Sequence, residues 1–241
     1  MTVNYIDSYI LNITNYIGDK IYFYLNNNLG IFTKLNNFII LNLISFNKSW
    51  MHNMKKYKFA DLFCGLGGIS SGLEKSGFKL SLASDVWDVA IQNIKKNFKN
   101  VDTYQLNFFD KENQRFIENK IKEANIQILA GGPPCQGFSS LGKRKILDER
   151  NFLVDVFLKI IKNTLPQFLI IENVRGLKTM RHKSGKFYNE HIKEYLNQDY
   201  LVKEIILEGI KLGMSQTRKR VFFIGIKRLS LKNNLYNSID I

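Results

Sequence analysis

Residues 51–241 predict an α/β fold built on a doubly wound, mostly parallel sheet. Two observations carry this. Short apolar runs alternate with amphipathic ones, the pattern of βαβ units. Some of the apolar runs are continuous, as strands covered on both faces require, and Phe168-Leu169-Ile170-Ile171 is the clearest. No internal repeat is visible. A sheet of this kind places its ligands at the carboxyl ends of its strands.

In order, residues 58–63 read as the first strand, and a helix over 68–75 follows, stopped by Gly77. Residues 79–85 read as the second strand and 87–98 as a helix. A strand over 126–130 precedes a helix over 152–163, which Pro166 ends because its ring cannot continue one. Residues 168–172 form a buried strand, and 202–207 and 221–226 two later strands.

The first fifty residues are of a different kind. They hold ten Asn and nine Ile but only five charges, with no clean period of 3.6 or 2. Residues 1–50 are therefore read as an extension outside the domain, and Met51 and Met54 offer alternative starts. The net charge of +14 falls almost wholly on residues 51–241 and favours a polyanionic partner, nucleic acid before an anionic membrane. The two cysteines, Cys64 and Cys135, fit a reducing cytoplasm rather than a disulfide scaffold. No apolar run approaches the ~20 residues of a membrane helix, and there is no export signal. His52, His182 and His191 show no metal-ligand spacing, and no metal site is expected.

Three constellations carry chemistry. Gly131-Gly132-Pro133-Pro134-Cys135-Gln136-Gly137-Phe138-Ser139 holds a thiol behind two rigid prolines at the end of a strand. Taken alone, a buried structural Cys explains it equally well. Phe63-Cys64-Gly65-Leu66-Gly67-Gly68 is a glycine turn between strand and helix, and Asp85 follows Phe63 by 22 residues, near the ~20 expected of a ribose-binding acid. Asp88 is a rival one helical turn on. Glu172 stands at the end of a buried strand, where desolvation would raise its pKa; alone it reads as the point where the strand exits. Arg218 and Arg220 alternate along an expected strand and so share a face.

These segments resemble the C5-cytosine methyltransferase family, in the family's order. Asp61-Leu62-Phe63-Cys64-Gly65-Leu66-Gly67-Gly68 comes first, then Gly132 to Ser139, the family's nucleophile motif. Asp148-Glu149-Arg150 with Leu153 follows, then Ile171-Glu172-Asn173-Val174-Arg175-Gly176, then Gln216-Thr217-Arg218-Lys219-Arg220. The matched region runs from about Lys56 to Arg228, and residues 1–50 match nothing.

The resemblance implies a Rossmann-like sheet whose last strand is antiparallel. It also implies transfer of a methyl group from S-adenosyl-L-methionine to C5 of a cytosine flipped out of double-stranded DNA. Cys135 would add to C6 of the base. Glu172 would share a proton with N3, Arg218 would bond O2, and Arg220 would brace the cysteine loop or a phosphate. Phe63, Gly65, Gly67, Gly68, Pro134 and Leu153 would line the cofactor, with Asp85 on the ribose and Val86 against the adenine. Asn107 stands where the family usually has Asp to accept from the adenine amine, a bond its carbonyl oxygen can also accept. Ser215 stands where Pro is usual. The basic loop 140–145 would close over the base.

The family's target-recognition region and its later Gly-Asn segment have no counterpart in this sequence. The chain is thus expected to be the catalytic subunit of a split modification enzyme, paired with a complementary subunit that carries the recognition region. A remnant that folds and binds without turnover is the alternative, and an RNA cytosine methyltransferase of the same fold is another. With the rest missing, residues 221–229 are expected to expose apolar surface.

Overall fold

The computed structural model describes residues 57–134, 152–212 and 215–228. The extension over 1–50, Cys135, the loop 140–145 and Asp148-Glu149-Arg150 lie outside the described residues. Seven strands form one sheet: β1 Lys58–Leu62, β2 Lys79–Asp85, β3 Asp102–Gln105, β4 Ile128–Gly131, β5 Phe168–Val174, β6 Tyr200–Glu208 and β7 Lys219–Lys227. Their order is β3-β2-β1-β4-β5-β7-β6. The five strands from β3 to β5 are mutually parallel, and β7 runs antiparallel to both β5 and β6.

Helices cover both faces. On one lie α1 Gly68–Lys75 and α2 Asp88–Asn97, with Leu73, Ile91 and Ile94 packed on Phe59, Leu80, Ile128, Phe168 and Ile170. On the other lie α3 Lys111–Glu123, α4 Phe152–Thr164 and α5 Tyr188–Leu196, whose Ile117, Phe157, Ile161 and Ile192 pack on Leu62, Leu129, Leu169 and Ile171. Alternate β5 residues thus feed two separate cores, the physical reason its sequence is unbroken apolar.

The chain leaves β1 for β2 and β3 on one side, then returns to β4 and β5 on the other. This reversal opens a crevice at the carboxyl ends of β1 and β4. Helix α1 and strand β2 occur over the residues expected. Phe63 lies beyond β1, and Trp87 and Phe98 cap α2 rather than belonging to it. Strand β4 starts two residues late, because the Ile126 amide still donates to the Ile121 carbonyl at the end of α3. Strands β6 and β7 extend further at both ends because they pair along their whole length.

One expectation is overturned. Val221, Phe222 and Phe223 are not exposed but at most 3% accessible, because β7 sits inside the sheet between β5 and β6. The edge on this side of the sheet is β6, where Ile206 shows instead.

Candidate active site

The glycine turn after β1 departs from ordinary backbone at three residues. Phe63, Gly65 and Gly67 have φ of 57°, 52° and 81°. At Gly67 a side chain would be both strained and blocked, with Ile94 Cδ1 2.8 Å from an added Cβ. Phe63 bears the same conformation without glycine's freedom, a strain that persists only where the surroundings impose it. Its ring is gripped by Phe108 and Phe157, with centroids 4.9 and 5.9 Å away.

Below the turn, Asp61 is fully buried. Its Oδ2 accepts from the Ser70 amide at 3.1 Å and the Ser70 hydroxyl at 2.6 Å, which fastens the start of α1. Oδ1 has no hydrogen-bond partner among the described residues. Burial, offset only in part by Ser70, pushes this carboxyl up to about 7. Cys64 is also buried, and burial together with the charges of Asp61 and Asp85 drives its thiol far above the usual range. Burial thus disfavours the thiolate, the reactive form of a cysteine.

Asp85 closes the turn from the end of β2. Its Oδ2 accepts from the Gly65 amide at 2.9 Å, and its Oδ1 from the Trp87 amide at 2.9 Å. Each oxygen keeps a lone pair for a further donor. The rival Asp88 is exposed and, among the described residues, bonds to Gln92 of its own helix. The space above Gly65 is open, with nothing within 4 Å of an added Cβ. Leu66, Val86 and Trp87 are exposed at the same end of the sheet. Of these, Trp87 was not singled out by sequence, although it supplies a large flat face next to Val86.

The Leu106 amide donates to the Asp85 carbonyl at 2.9 Å and brings the turn after β3 alongside. Asn107 is exposed there, its Oδ1 accepting from the Phe109 amide at 3.0 Å. Leu153 is buried in α4, in the cluster against which Phe63 packs.

The second half of the site lies at the ends of β4 and β5. Glu172 accepts from Arg220 Nε at 2.8 Å, with side-chain exposures of 25% and 16% respectively. Burial pushes the Glu172 carboxyl up, and the charges of Arg220 and Arg218 only partly restrain it. Arg220 lies in β7; Arg218 is exposed one residue before that strand starts, yet its charge still reaches Glu172. An added Cβ on Gly132 would stand 3.1 Å from Glu172 Oε2, so the carboxylate lies over the backbone that leads into Pro133-Pro134-Cys135.

Pro134 is half-buried. The described end of this segment is braced by Asn173, whose Nδ2 donates to the Pro133 carbonyl at 3.1 Å. Nothing local in the sequence points from Asn173 across to Pro133. Arg220, expected to brace this loop or a phosphate, is bonded to Glu172 and to the Lys219 carbonyl.

The strand order, the antiparallel β7 and the glycine turn closed by an acid define the Rossmann-like fold of S-adenosylmethionine-dependent methyltransferases. Within that class, the model of the C-5 cytosine-specific DNA methylase family matches residues 57–239, and the chain belongs to that family.

Among similar proteins, Type II methyltransferase M.DdeI of Desulfomicrobium norvegicum is 38% identical over 172 residues, 69% of this chain and 40% of that protein. Type II methyltransferase M.HindV of Haemophilus influenzae is 34% identical over 168 residues, 70% of this chain and 52% of that protein. The chain thus spans about half the length, or less, of these relatives. The crystal structure of the S. pombe Dnmt2 methyltransferase shares the fold, with a TM-score of 0.55 over 70% of this chain and 50% of that one, at 21% identity.

Proposed function

We propose that this chain is the cofactor-binding and catalytic portion of an enzyme that methylates C5 of cytosine in double-stranded DNA, with S-adenosylmethionine as donor. The observation that carries the reading is Glu172. It is a desolvated carboxyl with a raised pKa, set against the backbone that leads to Cys135 and flanked by two guanidinium charges. C5 of cytosine is a poor nucleophile. Addition of the Cys135 thiolate to C6 pushes ring electrons towards N3 and O2 and makes C5 enamine-like. A carboxyl whose affinity for a proton is raised by burial can share one with N3 as that charge builds. Arg218 stabilises charge at O2.

The residues around the glycine turn suit the cofactor. The open face above Gly65 leaves room for it, Asp85 has lone pairs for two ribose hydroxyls, and Val86 and Trp87 offer apolar surface to an adenine. When bound, the cofactor supplies an electrophilic methyl group. Turnover also requires the part of these enzymes that the chain does not span, which includes target recognition, and we assign it to a complementary subunit. Basic charge alone gives only salt-sensitive, non-specific affinity for DNA.

The test uses DNA carrying 5-fluorocytosine at candidate sites, with matched RNA as a second arm, and the chain both alone and with candidate complementary chains. Fluorine at C5 cannot leave as a proton does, so the thiol adduct accumulates. The expected result is a covalent DNA adduct at Cys135 that requires the complementary chain. An adduct at Cys64, or none with any partner, overturns the assignment. Adduct formation by this chain alone overturns the need for a second subunit.

A further inference from the structure

Outside this site, the structure gathers three residues that the sequence keeps apart. Asp155 lies in the first turns of α4, His182 in the tight turn between β5 and α5, and His191 in α5. His182 Nε2 is 3.1 Å from Asp155 Oδ2, and His191 Nε2 is 3.0 Å from Asp155 Oδ1. The imidazoles are stacked, with centroids 3.7 Å apart and planes 10° from parallel. Potential ligand atoms from the three residues all lie within 4.8 Å of one another.

We propose that Asp155, His182 and His191 form a binding site for a divalent transition-metal cation of the zinc type, which staples α4 to the segment that follows Glu172. The donor set is a common one for zinc, two imidazoles and a carboxylate, with a fourth position left for water. Bonds of ~2.0–2.1 Å in a tetrahedron put neighbouring ligand atoms about 3.3 Å apart. The two nitrogen–oxygen separations seen here are close to that edge length, and the stacked imidazoles must turn out of parallel for both Nε2 lone pairs to meet at one cation. Side-chain exposures of 5%, 17% and 19% leave the cluster mostly dry but open on one side.

The outer partner of His182 also suits a ligand. Its Nδ1 accepts from the Ser184 amide at 3.1 Å and lies 2.8 Å from Ser184 Oγ. In this arrangement Nε2 carries the proton and donates to Asp155. A cation at Nε2 requires the other tautomer, in which Nδ1–H donates to Ser184 Oγ, an oxygen able to donate or accept. That tautomer also turns Nδ1–H towards the Ser184 amide, so the amide gives up its bond and the turn shifts to let Ser184 Oγ accept. Tyr188 and Tyr195 pack edge-on or tilted against the imidazoles.

The consequence is structural. Helix α4 begins at Phe152 and carries Leu153, whereas His182 follows the 3-10 turn Arg175–Thr179 that leaves the Glu172 strand. One cation would cross-link the elements that flank both halves of the active site, and its binding energy would add to folding stability.

The experiment is a calorimetric titration of the full chain with Zn2+, paired with thermal melts. Wild type should bind one equivalent and melt at a higher temperature with zinc than with chelator. Asp155→Asn and His191→Gln should each lose that equivalent and the zinc-dependent shift, and Ser184→Ala should bind about 10- to 100-fold more weakly. No saturable zinc binding by wild type overturns the proposal, and leaves a purely hydrogen-bonded triad. Unchanged binding in both ligand variants overturns it too. If the variants fail to fold, the absorption spectrum of Co2+-loaded wild type decides. Tetrahedral ligand-field bands without thiolate charge transfer support the site, whereas a thiolate band places the metal on a cysteine and refutes it.

Discussion

Arg220 reaches Glu172 diagonally across two antiparallel strands. The β5–β7 register pairs Glu172 with Phe222 and Val174 with Arg220, so the two charged residues are two positions apart on the same face. Their 2.8 Å contact is a charge-assisted hydrogen bond in a largely desolvated setting. It leaves Glu172 Oε2 facing Gly132 and the cysteine segment. The pair thus anchors one carboxylate oxygen on Arg220 and leaves the other beside Gly132.

Removing Arg220 should therefore push the Glu172 carboxyl still higher, because burial would then act with only Arg218 opposing it. In Arg220→Met the carboxyl titration, followed by carbon NMR of labelled Glu, should move to higher pH than in wild type. Truncating one partner of such a pair should cost about 2–5 kcal/mol of stability, read from denaturant melts. An unmoved titration would show that the contact does not govern Glu172.

Asp61 predicts a pH dependence of stability. Folded, its carboxyl holds a proton to about pH 7; its ordinary value is 3.8. Between these values the folded state binds the extra proton, so this contribution is fully present below about pH 4 and is lost as pH rises to about 7. Asp61→Asn keeps an oxygen for the two Ser70 donors and removes the titration. Its urea-melt stability should therefore fall less than that of wild type across this window. Parallel curves for the two proteins would refute the assignment.

The two thiols should differ sharply. Cys64 is buried with its thiolate strongly disfavoured, whereas Cys135 holds the nucleophile's role proposed above. Iodoacetamide at mildly alkaline pH should label Cys135 in the native chain, and Cys64 only after unfolding. Peptide mass spectrometry reads the outcome, and native labelling of Cys64 would contradict its burial.

Asp85→Ala should weaken S-adenosylmethionine binding by about 1.5–3 kcal/mol, the scale of hydrogen bonds to a charged group. The glycine turn should also loosen, since the variant leaves the Gly65 and Trp87 amides without their acceptor. Calorimetry on both proteins measures the first effect. Equal affinities would move the ribose contact to another residue.

Local chemistry made much of this protein readable from sequence. Continuous apolar runs marked β5, and glycines after β1 marked a turn that only a few residues tolerate. Motif order marked Glu172 and the cysteine segment. Strand β3 escaped notice because its four residues, Asp-Thr-Tyr-Gln, carry no apolar run, and it pairs only with β2. Helices α3 and α5 were legible but unread: Ile117 and Ile121 follow an Asp110 cap, and Tyr188, Ile192 and Leu196 recur every fourth residue.

What the tertiary structure alone decided are contacts between residues distant along the chain. Arg220 on Glu172, Asn173 on the Pro133 carbonyl, the Asp61 oxygen without a partner among the described residues, and two histidines on Asp155 all depend on strand register and helix packing. Sequence patterns report which face a side chain occupies, because burial repeats with the period of the element. They do not report which distant group shares that face, because that is set by how whole elements dock, and docking depends on the summed shape of both cores.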